Sequence, residues 1–375
     1  MNDIVCNRHT AYQIAFSRIR GLTLLRAGAI LEILGSEEEF FNAKERDLRI
    51  RLGSSSRFYE EATRRILLDE AFGELEFIEA KGIDTYYFTD NNYPRLLSQC
   101  QDAPLMLYGC GRCLLDHART IAIVGTRHAT HYGIETVNRL VDEIADTVEN
   151  PVIVSGLAYG IDAAAHRAAL RKGIPTVAVV AHGLNTIYPA DHRNLAAEIC
   201  GSGGMVVTDY TSGDAIHRAN FLARNRIVAG LCECTVVVES AIRGGAMSTA
   251  RLAREYNREV MAVPGRLSDI YSAGCNELIA GMQASIVRNA ADMAAVCNWT
   301  LKSDKGVEGV QKQLFHVNTP AEQSVIDYIL ADPDATISDI AKATGQKVGA
   351  ATSLLARMEL DGLITALPGG RYQLA

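Results

Sequence analysis

Ile121-Ala122-Ile123-Val124-Gly125-Thr126-Arg127 is a short apolar run that ends on a glycine, a hydroxyl and a guanidinium, and a helical pattern follows it directly. Similar runs recur at Val152–Val154, Thr176–Ala181, Met205–Thr208, Thr235–Val238, Val260–Val263 and Ser285–Val287, with helical stretches between most of them. Buried β-rich runs separated by helices predict a parallel sheet with helices on both faces. In such open α/β sheets the carboxyl ends of the strands line the ligand crevice. The polar residues at those ends are Gly125-Thr126-Arg127, Ser155-Gly156, His182-Gly183, Asp209-Tyr210, Glu239-Ser240 and Pro264-Gly265.

Outward from this middle region, residues 1–115 read as a mostly helical module. Ile14 to Leu34 divides into two short helices at Arg20-Gly21-Leu22-Thr23, and a helix pair over 58–72 and 75–81 follows. Residues 301–319 are polar and read as a linker. Residues 320–375 show three helical patterns and two β runs around Pro368-Gly369-Gly370, the pattern of a winged helix-turn-helix.

The chain has 375 residues and a net charge of -7, with 48% hydrophobic and 22% charged residues, which excludes global disorder. No apolar run reaches the roughly 18 residues of a membrane span. The polar, mixed-charge stretch 1–20 does not read as a secretory signal. Nine scattered Cys fit reduced thiols in a cytoplasm. Cys110-Gly111-Arg112-Cys113 with His117 is half a zinc pattern without a second half, so no metal site and no cofactor is expected. An acidic total argues against nucleic acid, but Arg218–Arg266 carries eight Arg against four acids, locally +4. Local charge therefore predicts an arginine-lined groove on an acidic protein.

Gly125-Thr126-Arg127 before a helix is neither the dinucleotide fingerprint nor a P-loop, yet it suits a phosphate. Arg127 adds a fork that can grip an anion bidentately. Arg243-Gly244-Gly245-Ala246-Met247-Ser248-Thr249 makes a second glycine-and-hydroxyl cradle, and several cradles along one sheet edge suit a polyanion such as a single strand. Asp162 and His166, at i and i+4, leave two readings open: an acid/base pair or two structural side chains.

The chain resembles the DprA/Smf family of bacterial DNA-processing proteins. The resemblance rests on 121–127, Ser155-Gly156-Leu157-Ala158-Tyr159-Gly160-Ile161-Asp162-Ala163-Ala164-Ala165-His166, Gly183-Leu184 through Tyr188-Pro189, Arg224-Asn225-Arg226-Ile227-Val228-Ala229-Gly230-Leu231 and Val260–Gly265. Tyr93-Pro94-Arg95-Leu96-Leu97 and the two flanking modules extend it over nearly the whole chain.

The resemblance implies an α/β fold. A Rossmann-like parallel sheet domain (116–300) is flanked by an N-terminal SAM/helix-hairpin-helix-like module and a C-terminal winged helix. It implies a non-enzymatic, dimeric binder of single-stranded DNA that protects incoming strands and loads RecA in natural transformation. Carried over by position, the DNA-binding residues are Gly125, Thr126, Arg127, Ser155, Gly156, Arg224, Asn225, Arg226, Gly245, Ser248 and Thr249. Three positions depart from the family pattern: Leu222 replaces a proline, Gly244–Met247 lacks two serine hydroxyls, and Thr23 replaces a hairpin glycine. The competing readings are a nucleotide-binding hydrolase or ligand sensor, and a transcriptional regulator. Net charge -3 over 320–375 points the winged helix toward a protein contact rather than duplex DNA.

Overall fold

The alternating runs do form strands. The computed structural model describes residues 2–53, 56–113, 115, 119–302, 319–332, 335–367 and 370–374, with the backbone alone over 2–7. These fall into two compact units, 1–306 and 307–375.

Five helices open the first unit: α1 (Asn2–Ser17), α2 (Leu24–Leu34), α3 (Glu37–Asn42), α4 (Glu45–Leu52) and α5 (Glu61–Lys81). The turn after α1 holds Gly21 at φ +78°, and Thr23 caps α2 by accepting from the Arg26 amide. The aromatic rings of Tyr12, Phe16, Phe40 and Phe41 pack in the core of this module. Buried Arg64 donates to the carbonyls of Phe40, Phe41 and Ala43 at 2.6–2.7 Å, satisfying the end of α3. The helix pair expected at 58–81 is a correction: a 3-10 turn precedes one continuous helix of 21 residues. Gly73, in mid-helix, costs only about 1 kcal/mol against alanine and does not break it.

The region expected to be mostly helical also holds β1 (Asp84–Tyr87), a one-turn helix α6 (Arg95–Ser98) and β2 (Met106–Gly111). Both strands join the large sheet. From there, strands and helices alternate: β3 (Arg119–Val124), α7 (His131–Thr147), β4 (Pro151–Ser155), α8 (Ile161–Arg171), β5 (Thr176–Val179), α9 (Arg193–Gly201) and β6 (Met205–Thr208). They continue as α10 (Arg218–Gly230), β7 (Cys234–Val237), α11 (Gly245–Glu255), β8 (Glu259–Ala262), α12 (Ala273–Ala280), β9 (Ser285–Ile286) and α13 (Ala290–Cys297).

The sheet order is β1-β2-β6-β5-β4-β3-β7-β8-β9. Strands β3 to β9 pair in parallel, and only β1–β2 and β2–β6 are antiparallel. Successive side chains point to opposite faces. Ile121 and Ile123 thus pack with Leu140, Ile144 and Ala168 of α7 and α8, while Ala122 and Val124 pack with Ile227, Ala250 and Leu278 of α10 to α12. Strand β3 lies between β4 and β7, so chains leave its carboxyl end in opposite directions and open a crevice there.

The second unit holds α14 (Pro320–Ala331), α15 (Ile337–Ala343), α16 (Val348–Leu360) and a hairpin of β10 (Ile364–Leu367) with β11 (Arg371–Leu374). A capping box of Thr319 and Glu322 starts α14. The expected wing turn at Pro368-Gly369, the linker residues 303–318 and His117 lie outside the described residues. Among the described residues no three His, Cys, Asp or Glu side chains gather to hold a metal ion, and no helix is long and apolar enough to cross a membrane.

Candidate functional site

The loop after β3 is held down on three sides. The Thr126 amide donates to the Glu239 carbonyl at 2.7 Å, and the Ile161 amide donates to the Thr126 carbonyl. A side chain at Gly160 (φ +75°) would meet the backbone of Thr126 and Arg127 within 3 Å, so only glycine lets these two loops touch. Gly125 is equally tight against Ile161 and Glu239.

The start of α7 already has an anion. Buried Glu239 accepts from the Thr130 amide at 2.9 Å and its hydroxyl at 2.5 Å, while Thr130 caps Gly133. The expected phosphate seat on this helix start is therefore filled by the chain's own carboxylate. Arg127 is left exposed above it.

Below the neighbouring loop, Gly156 rests on Arg224, whose guanidinium would overlap any side chain at 156. Arg224 is 4% exposed and donates to the Val179 carbonyl at 2.6 Å. Burial pushes its pKa down; Asp162 opposes that. Asp162 is buried beside it: desolvation raises its pKa, and Arg224 pulls it down. Ser155 is fully buried and donates to the Ile123 carbonyl at 2.6 Å. His166 turns away to Thr176 (2.7 Å) and is held neutral by burial, its pKa lowered to about 3. Asp162 and His166 thus have separate partners, as the structural reading of that pair requires.

Arg127, Gly156, Ala158, Tyr159, Tyr188, Pro189 and Phe221 line one cleft at the strand ends. The Arg127 guanidinium lies 5.5 Å from the Phe221 ring centroid, and Phe221 meets Tyr188 edge-on at 5.4 Å. Tyr159 and Tyr188 are 43% and 47% exposed, unusual for rings this large. Tyr159 donates its hydroxyl to Asp191 at 2.8 Å and packs on His192. The composition reading passed over these three rings. The signal was a ring beside a glycine or proline in a loop that follows a strand, as in Ala158-Tyr159-Gly160 and Tyr188-Pro189.

The remaining expected site residues separate. Arg226 is spent on Asp209 at 2.5 Å and on the Asp102 carbonyl. Asn225 reaches the Gly245 carbonyl at 3.4 Å. Gly245 is exposed at the uncapped start of α11 with open space beside it, Ser248 is half-buried and Thr249 is 2% exposed. In the +4 stretch, Arg251 pairs with Glu255 and Arg258 bonds Leu96 and Gln99. That leaves Arg254 exposed in the last turn of α11, and Arg127, Arg218, Arg243 and Arg266 exposed on the loops and helix start past β3, β6, β7 and β8, all with no ion pair among the described residues.

The helical module reaches this edge too. Arg18 pairs with Asp214 at 3.0 Å and donates to Thr211, and Glu74 accepts from the Ser212 amide at 2.9 Å. These contacts hold the loop that leads into α10 and Phe221.

Residues 84–298 match the family described as DNA recombination-mediator protein A. The chain belongs to that family. Residues 320–365 match a winged helix-turn-helix DNA-binding family. The chain is 33% identical over 368 residues to a putative DNA processing protein DprA of Mycobacterium tuberculosis, covering 94% of this chain and 91% of that one. It is 28% identical to the protein Smf of Synechocystis, covering 98% of this chain and all of that one. The X-ray structure of DNA processing protein A from Streptococcus pneumoniae superposes with a TM-score of 0.64 at 32% identity, over 76% of this chain and 97% of that one. DNA processing protein A from Helicobacter pylori, described for its single-stranded DNA binding mode, gives 0.52 at 31% identity, over 58% and 97%. Family membership makes this a DNA-processing protein.

Proposed function

We propose that this chain binds single-stranded DNA along the carboxyl ends of β3 to β8, protects incoming strands and passes them to the RecA recombinase. The observation that carries this is the Arg127–Phe221 stack beside two half-exposed tyrosines. A cation for phosphate next to aromatic faces for unpaired bases is the arrangement that grips single strands. Gly125, Thr126, Gly156, Asn225, Gly245 and Ser248 line the path with Arg127. Ser155, Arg224, Arg226 and Thr249, being buried or bonded inside, hold the loops in place.

The role is non-catalytic in this reading, supported by the separate partners of Asp162 and His166. It places the protein in the cytoplasm, a location supported by scattered cysteines that stand free among the described residues. A second copy is part of the reading: β9 is a sheet edge with Ile286 exposed, and Met282 just before it is 93% exposed. The RecA step is tested separately, by recombinase assembly on protein-bound strands.

The deciding experiment is a salt titration of oligonucleotide binding. Arg127→Ala weakens single-strand affinity and reduces the salt slope by about 0.7 per lost phosphate contact, while duplex and mononucleotides bind poorly throughout. Unchanged affinity and slope would remove Arg127 from the interface.

A further inference from the structure

A buried histidine is bonded to the backbone of Tyr188, one of the rings that line the aromatic cleft. His182 follows β5 and is 1% exposed. Its Nδ1 lies 2.9 Å from the Gly183 carbonyl, and its Nε2 accepts from the Tyr188 amide at 3.0 Å. A carbonyl only accepts and an amide only donates, so both bonds require the neutral ring protonated on Nδ1. Burial favours that form by lowering the pKa, and nearby Arg224 pushes the same way, against the Gly183 carbonyl.

This one ring closes the seven-residue loop from His182 to Tyr188 on itself. The loop is further fixed at its base, where a side chain at Gly183 would collide with the Thr211 carbonyl, and by Asn185, which donates to the Ser212 carbonyl at 2.9 Å. At its far end stands Tyr188, half-exposed, with Phe221 against it and Arg127 beyond. A loop tip with an exposed aromatic is ordinarily mobile. Here the tip is tied to a buried side chain.

We propose that His182 is a positioning residue for base recognition: it fixes the Tyr188 backbone so that the Tyr188 ring is presented to an unpaired base. The inference rests on the single-strand reading of the cleft. His182 touches no ligand itself; its contribution passes through the Tyr188 amide, so it acts on base stacking and leaves the phosphate contact of Arg127 in place.

The test compares a thymidine oligonucleotide with an abasic oligonucleotide of the same length, in the full chain. Wild type binds the base-bearing strand more tightly. His182→Leu, which removes the acceptor, lowers affinity for the base-bearing strand roughly tenfold and leaves the abasic strand nearly unchanged, a loss of the size expected for one stacked base. His182→Gln, whose amide oxygen can accept from the Tyr188 amide, recovers most of it. Tyr188→Ala gives the same loss, and the double variant adds nothing further. A base-to-abasic ratio that stays at the wild-type value in His182→Leu overturns the proposal, as does an equal loss on both strands, which marks a general structural role. If wild type binds neither strand, the single-strand reading itself fails; if it binds both equally while Arg127→Ala weakens both, only the base-positioning proposal falls.

Discussion

His166 looks from the sequence like half of an acid/base pair, and its surroundings make it a buried structural base. Thr176 spends its hydroxyl on the Ile153 carbonyl at 2.8 Å, so its oxygen accepts from His166 Nδ1, and Nε2 is buried without a hydrogen-bond partner among the described residues. The folded chain takes up this proton near about pH 3, the unfolded chain near 6.5. Between those values the unfolded state binds more protons. Stability from this group is therefore complete above 6.5 and declines as pH falls, by about 1.4 kcal/mol per unit. His166→Asn keeps a donor toward Thr176 and should flatten the loss in urea unfolding between about pH 7 and about pH 5. An unchanged pH slope would assign acid sensitivity elsewhere. The spacing of Asp162 and His166 was legible in sequence; their separate partners were not, because i,i+4 places two side chains on one face without saying what lies opposite each.

At the scale of elements, helix starts that look alike in sequence differ in what meets them. Gly125–Thr130 into α7 and Gly244–Thr249 into α11 both read as phosphate cradles. The first is closed by Glu239, a residue 109 positions away from Thr130 that lies just past the end of the adjacent strand β7. The second has no side-chain cap. Glu239→Ala leaves the Thr130 amide and hydroxyl without their acceptor, and is expected to cost about 1–3 kcal/mol in thermal or urea unfolding. Glu239→Gln, which keeps an oxygen acceptor, should lose less. Added sulfate should restore part of the stability of Glu239→Ala and do little for wild type, since the vacated helix start then accepts an anion. Equal sulfate effects on both would show that the site stays closed. Strands β1 and β2 are not legible in the sequence for a related reason: four to six residues at a sheet margin carry little periodicity, and the pairing of β2 with β6 that joins them to the sheet is a long-range event.

For the whole molecule, charge is the property that changes most on folding. Net -7 spreads as -3, -2 and -2 over residues 1–115, 116–300 and 301–375, so no region is basic as a whole. Ion pairs, burial and internal hydrogen bonds then take up Arg224, Arg226, Arg251 and Arg258, leaving Arg127, Arg218, Arg243 and Arg266 on the strand-end side. An acidic exterior with a few free arginines disfavours indiscriminate duplex coating. The winged helix adds little positive charge: outside α16 stand Lys342, Lys347 and Arg371, Arg357 lies 3.7 Å from Glu322, and residues 320–375 sum to -3. A chain ending at residue 306 should therefore keep its single-strand affinity and salt slope in fluorescence anisotropy. A clear drop in either would draw the second unit into DNA binding.

What the sequence determined by itself is the set of parallel strands and their helices, the winged-helix pattern and the glycine-rich loops at the strand ends. Strand and helix periodicity, and glycines at sharp turns, are local properties and survive in a linear reading. Tertiary structure alone decided which arginines are free and which are buried braces, that Glu239 fills the α7 start, and that Tyr159, Tyr188 and Phe221 meet beside Arg127. Those outcomes depend on partners brought together by sheet order across tens to more than a hundred residues, and no local pattern encodes which side chain arrives opposite which.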